Sequence, residues 1–151
     1  MRLLQRNRWR SVIRAEKPAI SGKISGHDSK RLCGSIAEGT YAALFAIGSM
    51  VETAWQVRRK LAEKGIPTTV VNARFAMPLD KNCLRKLAES HPLLVTMEEN
   101  VASGGFGEHV AAFLEEEALH TKVLRIAIPD CFVEHGSVGE LKKHWDWMQI
   151  P

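Results

Sequence analysis

From Tyr41 onward, apolar positions alternate between two rhythms. "YAALFAIG", residues 41–48, is a near-continuous apolar run bounded by Gly39 and Gly48, the pattern of a strand buried on both faces. The period then changes. Met50, Ala54, Val57 and Leu61 fall at i, i+4, i+7 and i+11, the stripe of an amphipathic helix. Ser49 and Glu52 form an S-x-x-E capping box at its start, and Gly65 follows the cationic last turns as a C-cap.

The same alternation repeats. "TTVVNAR", residues 68–74, predicts a second strand, and Asp80 is a good N-cap for "KNCLRKLAESH", whose inward face is Leu84 and Leu87. Beyond Pro92, "LLVTMEE" predicts a third buried strand. "EHVAAFLEEEAL" predicts a helix with Val110, Phe113 and Leu114 facing inward, and "KVLRIAIP" a fourth strand ending at Pro129. "SVGELKKHWDWM" predicts a last helix, capped by Ser137 with Glu140 three residues on. "SKRLCGSIAEGT" supplies one further, weakly formed edge strand before Tyr41. Strands alternating with helices of about 10–15 residues imply βαβ units, an α/β fold whose mainly parallel sheet is covered on both faces. Functional groups in such sheets collect at the carboxyl ends of strands, here Gly48-Ser49, residues 72–77, 98–107 and 129–135.

Composition narrows the class. The chain has 151 residues, 45% of them hydrophobic and 25% charged, enough for one ordinary soluble domain. Its longest apolar run, Tyr41 to Ile47, is too short to cross a bilayer, and no signal-peptide pattern is visible. The net charge of +4 is unevenly distributed: residues 1–40 carry nine Lys/Arg against Glu16, Asp28 and Glu38, so the remainder is mildly acidic. A nucleic-acid surface on the body is therefore not expected. Residues 1–36 read as a basic lead-in or linker, and the domain as residues 37–151. A transit peptide, a nucleic-acid arm and a membrane-surface helix are the functional alternatives for the lead-in. Cys33, Cys83 and Cys131 are odd in number and form no C-x-x-C pair, which predicts free thiols in a reducing cytosol. Cys131 and His135 lie four apart, but no second pair completes a metal site.

The candidate chemistry centres on "VTMEENVASGGFGEHV", residues 95–110. No Lys-Ser/Thr follows its glycines, so it is not a phosphate-binding P-loop. "GFGEHV" begins like a dinucleotide fingerprint but has Val110 at the third position. The competing expectation is that Gly104, Gly105 and Gly107 permit positive φ and close approach of the next helix to the sheet. Glu98 and Glu99, neighbours on a strand, point to opposite faces and are poorly placed as one acid/base dyad. Asp130, His135 and Ser137 could suggest a triad, but no G-x-S-x-G exists, and turn chemistry suits His135-Gly136-Ser137 better. Arg74, at a strand end, is placed to bind an anion or pair with a carboxylate of a neighbouring loop.

"ALFAIGSMV", "VVNARFAMPLD", "LAESHPLLVTMEENVASGGFGEHVAAFL" and "IAIPDCFVEHGSVGEL", in this order and spacing, closely resemble the C-terminal domain of the 1-deoxy-D-xylulose-5-phosphate synthases of the transketolase family, from about Ala37 to Trp147. The resemblance implies a three-layer α/β/α fold with a mainly parallel, five-stranded mixed sheet and one antiparallel edge strand near its start. It implies a cytoplasmic parent enzyme that condenses pyruvate with glyceraldehyde 3-phosphate, using thiamine diphosphate and Mg²⁺, in isoprenoid precursor biosynthesis. In that family the cofactor and metal sit between the first and second domains of a dimer, so neither is expected to bind this chain. No catalytic, cofactor or metal residue is expected here. Arg74, Glu98, Glu99, Asn100, Gly104, Gly105, Phe106, Gly107 and His135 are expected to form an interface or a possible anion loop. The implied partners are a second copy or the N-terminal and middle domains of the parent enzyme, without membrane or nucleic acid. Alternatives are a subunit of a split transketolase or 2-oxo-acid dehydrogenase complex, or a non-catalytic anion- or nucleotide-binding module. The sequence departs from the family in lacking the Pro-Arg-Gly that precedes this domain; the Arg-rich segment stands in its place.

Overall fold

The computed structural model describes residues 33–132 together with residues 135 and 136. Residues 1–32 of the basic lead-in expected over 1–36, and the last helix expected from Ser137, lie outside the described residues. The chain order is β1 (Gly34–Ala37), β2 (Ala42–Ala46), α1 (Met50–Glu63), β3 (Thr68–Asn72), α2 (Lys81–Ser90), β4 (Leu93–Val101), α3 (Phe106–Glu116) and β5 (Lys122–Ile128). The five strands form one sheet in the order β1-β3-β2-β4-β5. β1 runs antiparallel to β3 through Gly34↔Asn72 and Ser35↔Val71, and every other pairing is parallel. The mixed sheet with an antiparallel edge is thus the one expected, and β1 begins at Gly34, ahead of Ala37.

The connectivity follows from handedness. β2 to β3 steps one way along the sheet, whereas β3 to β4 and β4 to β5 step the other way. Right-handed crossovers then require α1 on one face and α2 and α3 on the opposite face. The core divides accordingly. Leu44, Ala46, Val70, Val95, Met97 and Ile126 pack with Met50, Ala54, Val57 and Leu61 of α1. Ala43, Phe45, Val71 and Leu94 pack with Leu84 and Leu87 of α2 and with Phe106, Val110, Phe113 and Leu114 of α3. All five residues of β2 are buried, as its unbroken apolar run requires.

Local signals were met unequally. Asp80 caps α2, its Oδ1 accepting the Cys83 N–H at 2.9 Å. Gly65 takes φ +70° after α1, and the Ile66 N–H reaches back to the Leu61 carbonyl at 2.9 Å, a Schellman closure with both side chains buried. The capping box at Ser49 does not form. Ser49 sits at φ −63°, ψ −21°, already helical, and makes no side-chain cap. A capping hydroxyl needs an extended backbone to reach forward to the next turn. The expectation of free thiols is also corrected at two positions: Cys33 and Cys83 are joined in a disulfide, while Cys131 is free and exposed. At the amino edge of the sheet, Thr69 Oγ1 donates to the Gly39 carbonyl at 3.0 Å and accepts the Gly39 N–H at 2.9 Å. His91 Nε2 lies 2.8 Å from the same hydroxyl, buried. No described helix is long and apolar enough to cross a membrane.

Candidate functional site at the carboxyl edge

The reversal of strand order falls between β2 and β4, whose following helices α1 and α3 lie on opposite faces. In open α/β sheets this is where a crevice for ligands opens. The segments that meet there are Gly48-Ser49 after β2 and Glu98 to Gly107 at the end of β4, and the residues just before them are linked where the Ile47 N–H donates to the Met97 carbonyl at 3.0 Å.

Glu98 decides what that edge can do. It is the last buried residue of β4, 2% exposed, whereas Glu99, Asn100 and Val101 are exposed. The two glutamates therefore do separate, as strand alternation predicts. The Glu98 carboxylate turns to the α2/α3 face and meets the start of α3. Oε2 accepts the Phe106 N–H and Oε1 the Gly107 N–H, both at 2.7 Å. These are first-turn amides that no intrahelical carbonyl can satisfy, and a carboxylate at the positive end of the helix dipole is the favoured partner. Glu108 adds a second closure, its Oε2 accepting the Gly104 N–H at 2.9 Å. Glu108 also lies 3.7 Å from Arg125 Nη1, both side chains being substantially exposed.

The glycines follow from this carboxylate. Gly104 turns the chain at φ +69° with open space around it. Gly105 and Gly107 are required by close approach. A Cβ on Gly105 would meet the Val101 carbonyl oxygen and lie 2.7 Å from Glu98 Oε2. A Cβ on Gly107 would lie 2.5 Å from Thr96 Oγ1, a fully buried hydroxyl without a protein partner. Phe106 is buried against Phe45, with ring centroids 5.1 Å apart. The loop thus closes on itself, and an incoming anion would have to displace Glu98 to reach the α3 amides.

The other expected site residues do not join this arrangement. Arg74 lies across the sheet after β3, at φ +57°, with its N–H donating to Asn72 Oδ1 at 2.8 Å and its guanidinium lying along Gly34. Asn100 Oδ1 accepts the adjacent Val101 N–H at 2.9 Å. His135 and Gly136 are exposed beyond β5. Sequence reasoning missed the apolar character of the edge: Phe75 is 52% exposed, Met77 63% and Phe132 85%, and Val101 is also exposed. Val101 is the last residue of β4, and the other three follow the ends of β3 and β5, all on the carboxyl edge of the sheet. Their signal was present in the sequence as large apolar residues set in turn segments.

The comparisons agree with this architecture. A family model described as transketolase, C-terminal domain, matches residues 35–148. A 1-deoxy-D-xylulose-5-phosphate synthase of Lachnoclostridium phytofermentans is 54% identical over 109 residues, covering 72% of this chain and 17% of that protein. Another, 1-deoxy-D-xylulose-5-phosphate synthase 1 of Geobacter metallireducens, is 45% identical over 111 residues, covering 73% of this chain and 18% of that protein. This chain therefore spans less than a fifth of the length of these relatives. Among solved structures, a chain described as split gene transketolase, inactive beta4 tetramer, superposes with a TM-score of 0.74 at 26% identity, covering 89% of this chain and 45% of that one. With the family's match running from within β1 through every later described strand and helix, the chain belongs to the transketolase C-terminal domain family.

Proposed function

We propose that this chain is the C-terminal domain, as fragment or subunit, of a thiamine-diphosphate-dependent 1-deoxy-D-xylulose-5-phosphate synthase, a cytoplasmic transferase of isoprenoid precursor biosynthesis. It serves dimer and inter-domain packing and performs no catalysis alone. The observation behind this reading is the Glu98 carboxylate, which satisfies the α3 amides from within and leaves the glycine loop a packed turn. Thiamine diphosphate does not fit the glycine-rich start of α3, where its diphosphate would face the buried Glu98 carboxylate. The exposed Phe75, Met77, Val101 and Phe132 supply the apolar surface that packing needs.

The test is carbon dioxide release from pyruvate with glyceraldehyde 3-phosphate, thiamine diphosphate and Mg²⁺. No turnover is expected from this chain, and turnover would overturn the reading. A second reading, a subunit of a split enzyme, is favoured by the likeness to the split-gene transketolase chain. It requires activity to appear when the chain is combined with a polypeptide carrying the first two domains. Titration with phosphate, ATP and thiamine diphosphate tests the anion-module alternative, which requires heat of binding that Glu98→Gln alters.

A further inference from the structure

We infer that Cys33 and Cys83 form a reversible thiol–disulfide site that clamps the connection between β3 and α2. β1 is antiparallel, so its first residue, Gly34, pairs with Asn72, the last residue of β3. Cys33 is thereby brought to the carboxyl edge, beside the point where the chain leaves the sheet. Cys83 lies in the first turn of α2, where the chain comes back. The two Cα atoms are 6.8 Å apart, and the residues are 50 apart in sequence. Both are half-buried against the α2/α3 core, so a small disulfide or dithiol can reach them without unfolding the domain.

The bond closes a frame around residues 73–80. At one end the Ala73 N–H donates to the Ala46 carbonyl at 2.9 Å; at the other, Asp80 caps α2 through the Cys83 N–H. Between them stand Phe75 and Met77, among the most exposed large apolar side chains described. With the disulfide intact, the start of β1 is bonded to the start of α2, and this connection is held at both ends. With it reduced, the short β1 ladder, the Ala73–Ala46 hydrogen bond and the Asp80 cap still hold the frame, but β1 is no longer bonded to α2.

One cysteine thiolate attacks a low-molecular-weight disulfide such as glutathione disulfide, forming a mixed disulfide and releasing one small thiolate. The second cysteine thiolate then attacks the protein sulfur of the mixed disulfide and releases the other small thiolate. The protein loses two electrons and two protons; the small disulfide gains both and leaves as two thiols. A dithiol reductant reverses the sequence.

The full chain is equilibrated with graded ratios of reduced to oxidised glutathione, alkylated, and analysed by peptide mass spectrometry and amide hydrogen exchange. At oxidising ratios the expected result is Cys33 and Cys83 recovered as one cross-linked pair, with Cys131 apart from it. At reducing ratios all three thiols alkylate. Reduction is expected to speed exchange of the amides of residues 73–84 at least about threefold and to lower Tm by on the order of 10 °C, given the length of chain the bond closes. Cys33→Ser abolishes the dependence on ratio and Cys131→Ser preserves it. The wild-type comparison stands even if Cys33→Ser fails to fold. Three alkylatable thiols at every ratio, mixed disulfides without the cross-link, or equal exchange of residues 73–84 in both forms would each overturn the inference.

Discussion

Replacing Glu98 with Gln tests whether one buried carboxylate holds the β4–α3 junction. The amide is nearly isosteric, so cavity effects are small and the change is electrical. The native carboxylate accepts from two amides, Phe106 and Gly107, at 2.7 Å each. A glutamine has only one oxygen; its NH₂ group would face an N–H donor that then has no acceptor. A buried N–H left unsatisfied costs about 1–3 kcal/mol. Loss of the negative charge at the helix N-terminus adds about 0.3–1 kcal/mol, nearer 2 in a buried setting. Relief of carboxylate desolvation works the other way. The balance is a loss of about 2–4 kcal/mol, a large part of the roughly 5–15 kcal/mol that holds a domain together. Urea unfolding monitored by circular dichroism measures it as a lower midpoint at unchanged m-value. Glu99→Gln, one residue on and exposed, should change stability by about 0.5 kcal/mol or less. If Glu98→Gln lies within about 0.5 kcal/mol of the wild type, the carboxylate does not hold the loop and the reading of the glycine segment fails.

Gly107→Ala should destabilise by about 1–3 kcal/mol, because its Cβ would sit 2.5 Å from Thr96 Oγ1 and 3.2 Å from Glu98 Oε1. Gly48→Ala, at φ +62° with open space around it, should cost only about 1 kcal/mol from backbone strain, and equal losses in parallel urea titrations would contradict the close-approach argument. Leu84→Ala, at a position with 0% exposure, should cost about 2–5 kcal/mol by the same measurement. Arg85 pairs with Glu117 through two hydrogen bonds of 2.9 Å, which, helped by the charges of Arg85 and Lys81 and partly opposed by burial, hold the Glu117 carboxyl below its ordinary range. That depressed value means the pair stabilises α2 against α3 at neutral pH and stops doing so as pH falls through the folded Glu117 value. Glu117→Gln should therefore flatten the acid side of a Tm-against-pH curve slightly, and an unchanged curve would show that the exposed pair contributes nothing.

Much of the fold was legible because periodicity reports burial directly. The α1 stripe of Met50, Ala54, Val57 and Leu61 is buried as written, and so are Leu84, Leu87, Val110, Phe113 and Leu114. Signals that depend on backbone angles were less secure: Ser49 has the right residue type and spacing for a cap but a helical backbone. Signals that depend on tertiary neighbours were hidden. Cys33 and Cys83 meet only because β1 runs antiparallel beside β3, and no local pattern states that order. The site was legible to the same depth. Alternation separated Glu98 from Glu99, and the glycines marked a close approach. What they approach, a carboxylate seven and nine residues back from Gly105 and Gly107, depends on how far β4 extends before the chain turns.

The position of β2 has a consequence for how the chain can assemble. β2 is paired with β3 on one side and β4 on the other, so it is the seam between a β1–β3 half and a β4–β5 half. It is also made early. A ribosome delivers Ala42–Ala46 before either parallel neighbour exists, and five apolar residues wait unpaired until Thr68–Asn72 has been synthesised. The second half can zip on only later, after Leu93–Val101 emerges. A break between Ala46 and Thr68 would put β2 on one piece and both of its partners, β3 and β4, on the other, leaving β2 unpaired along both margins until the pieces rejoin.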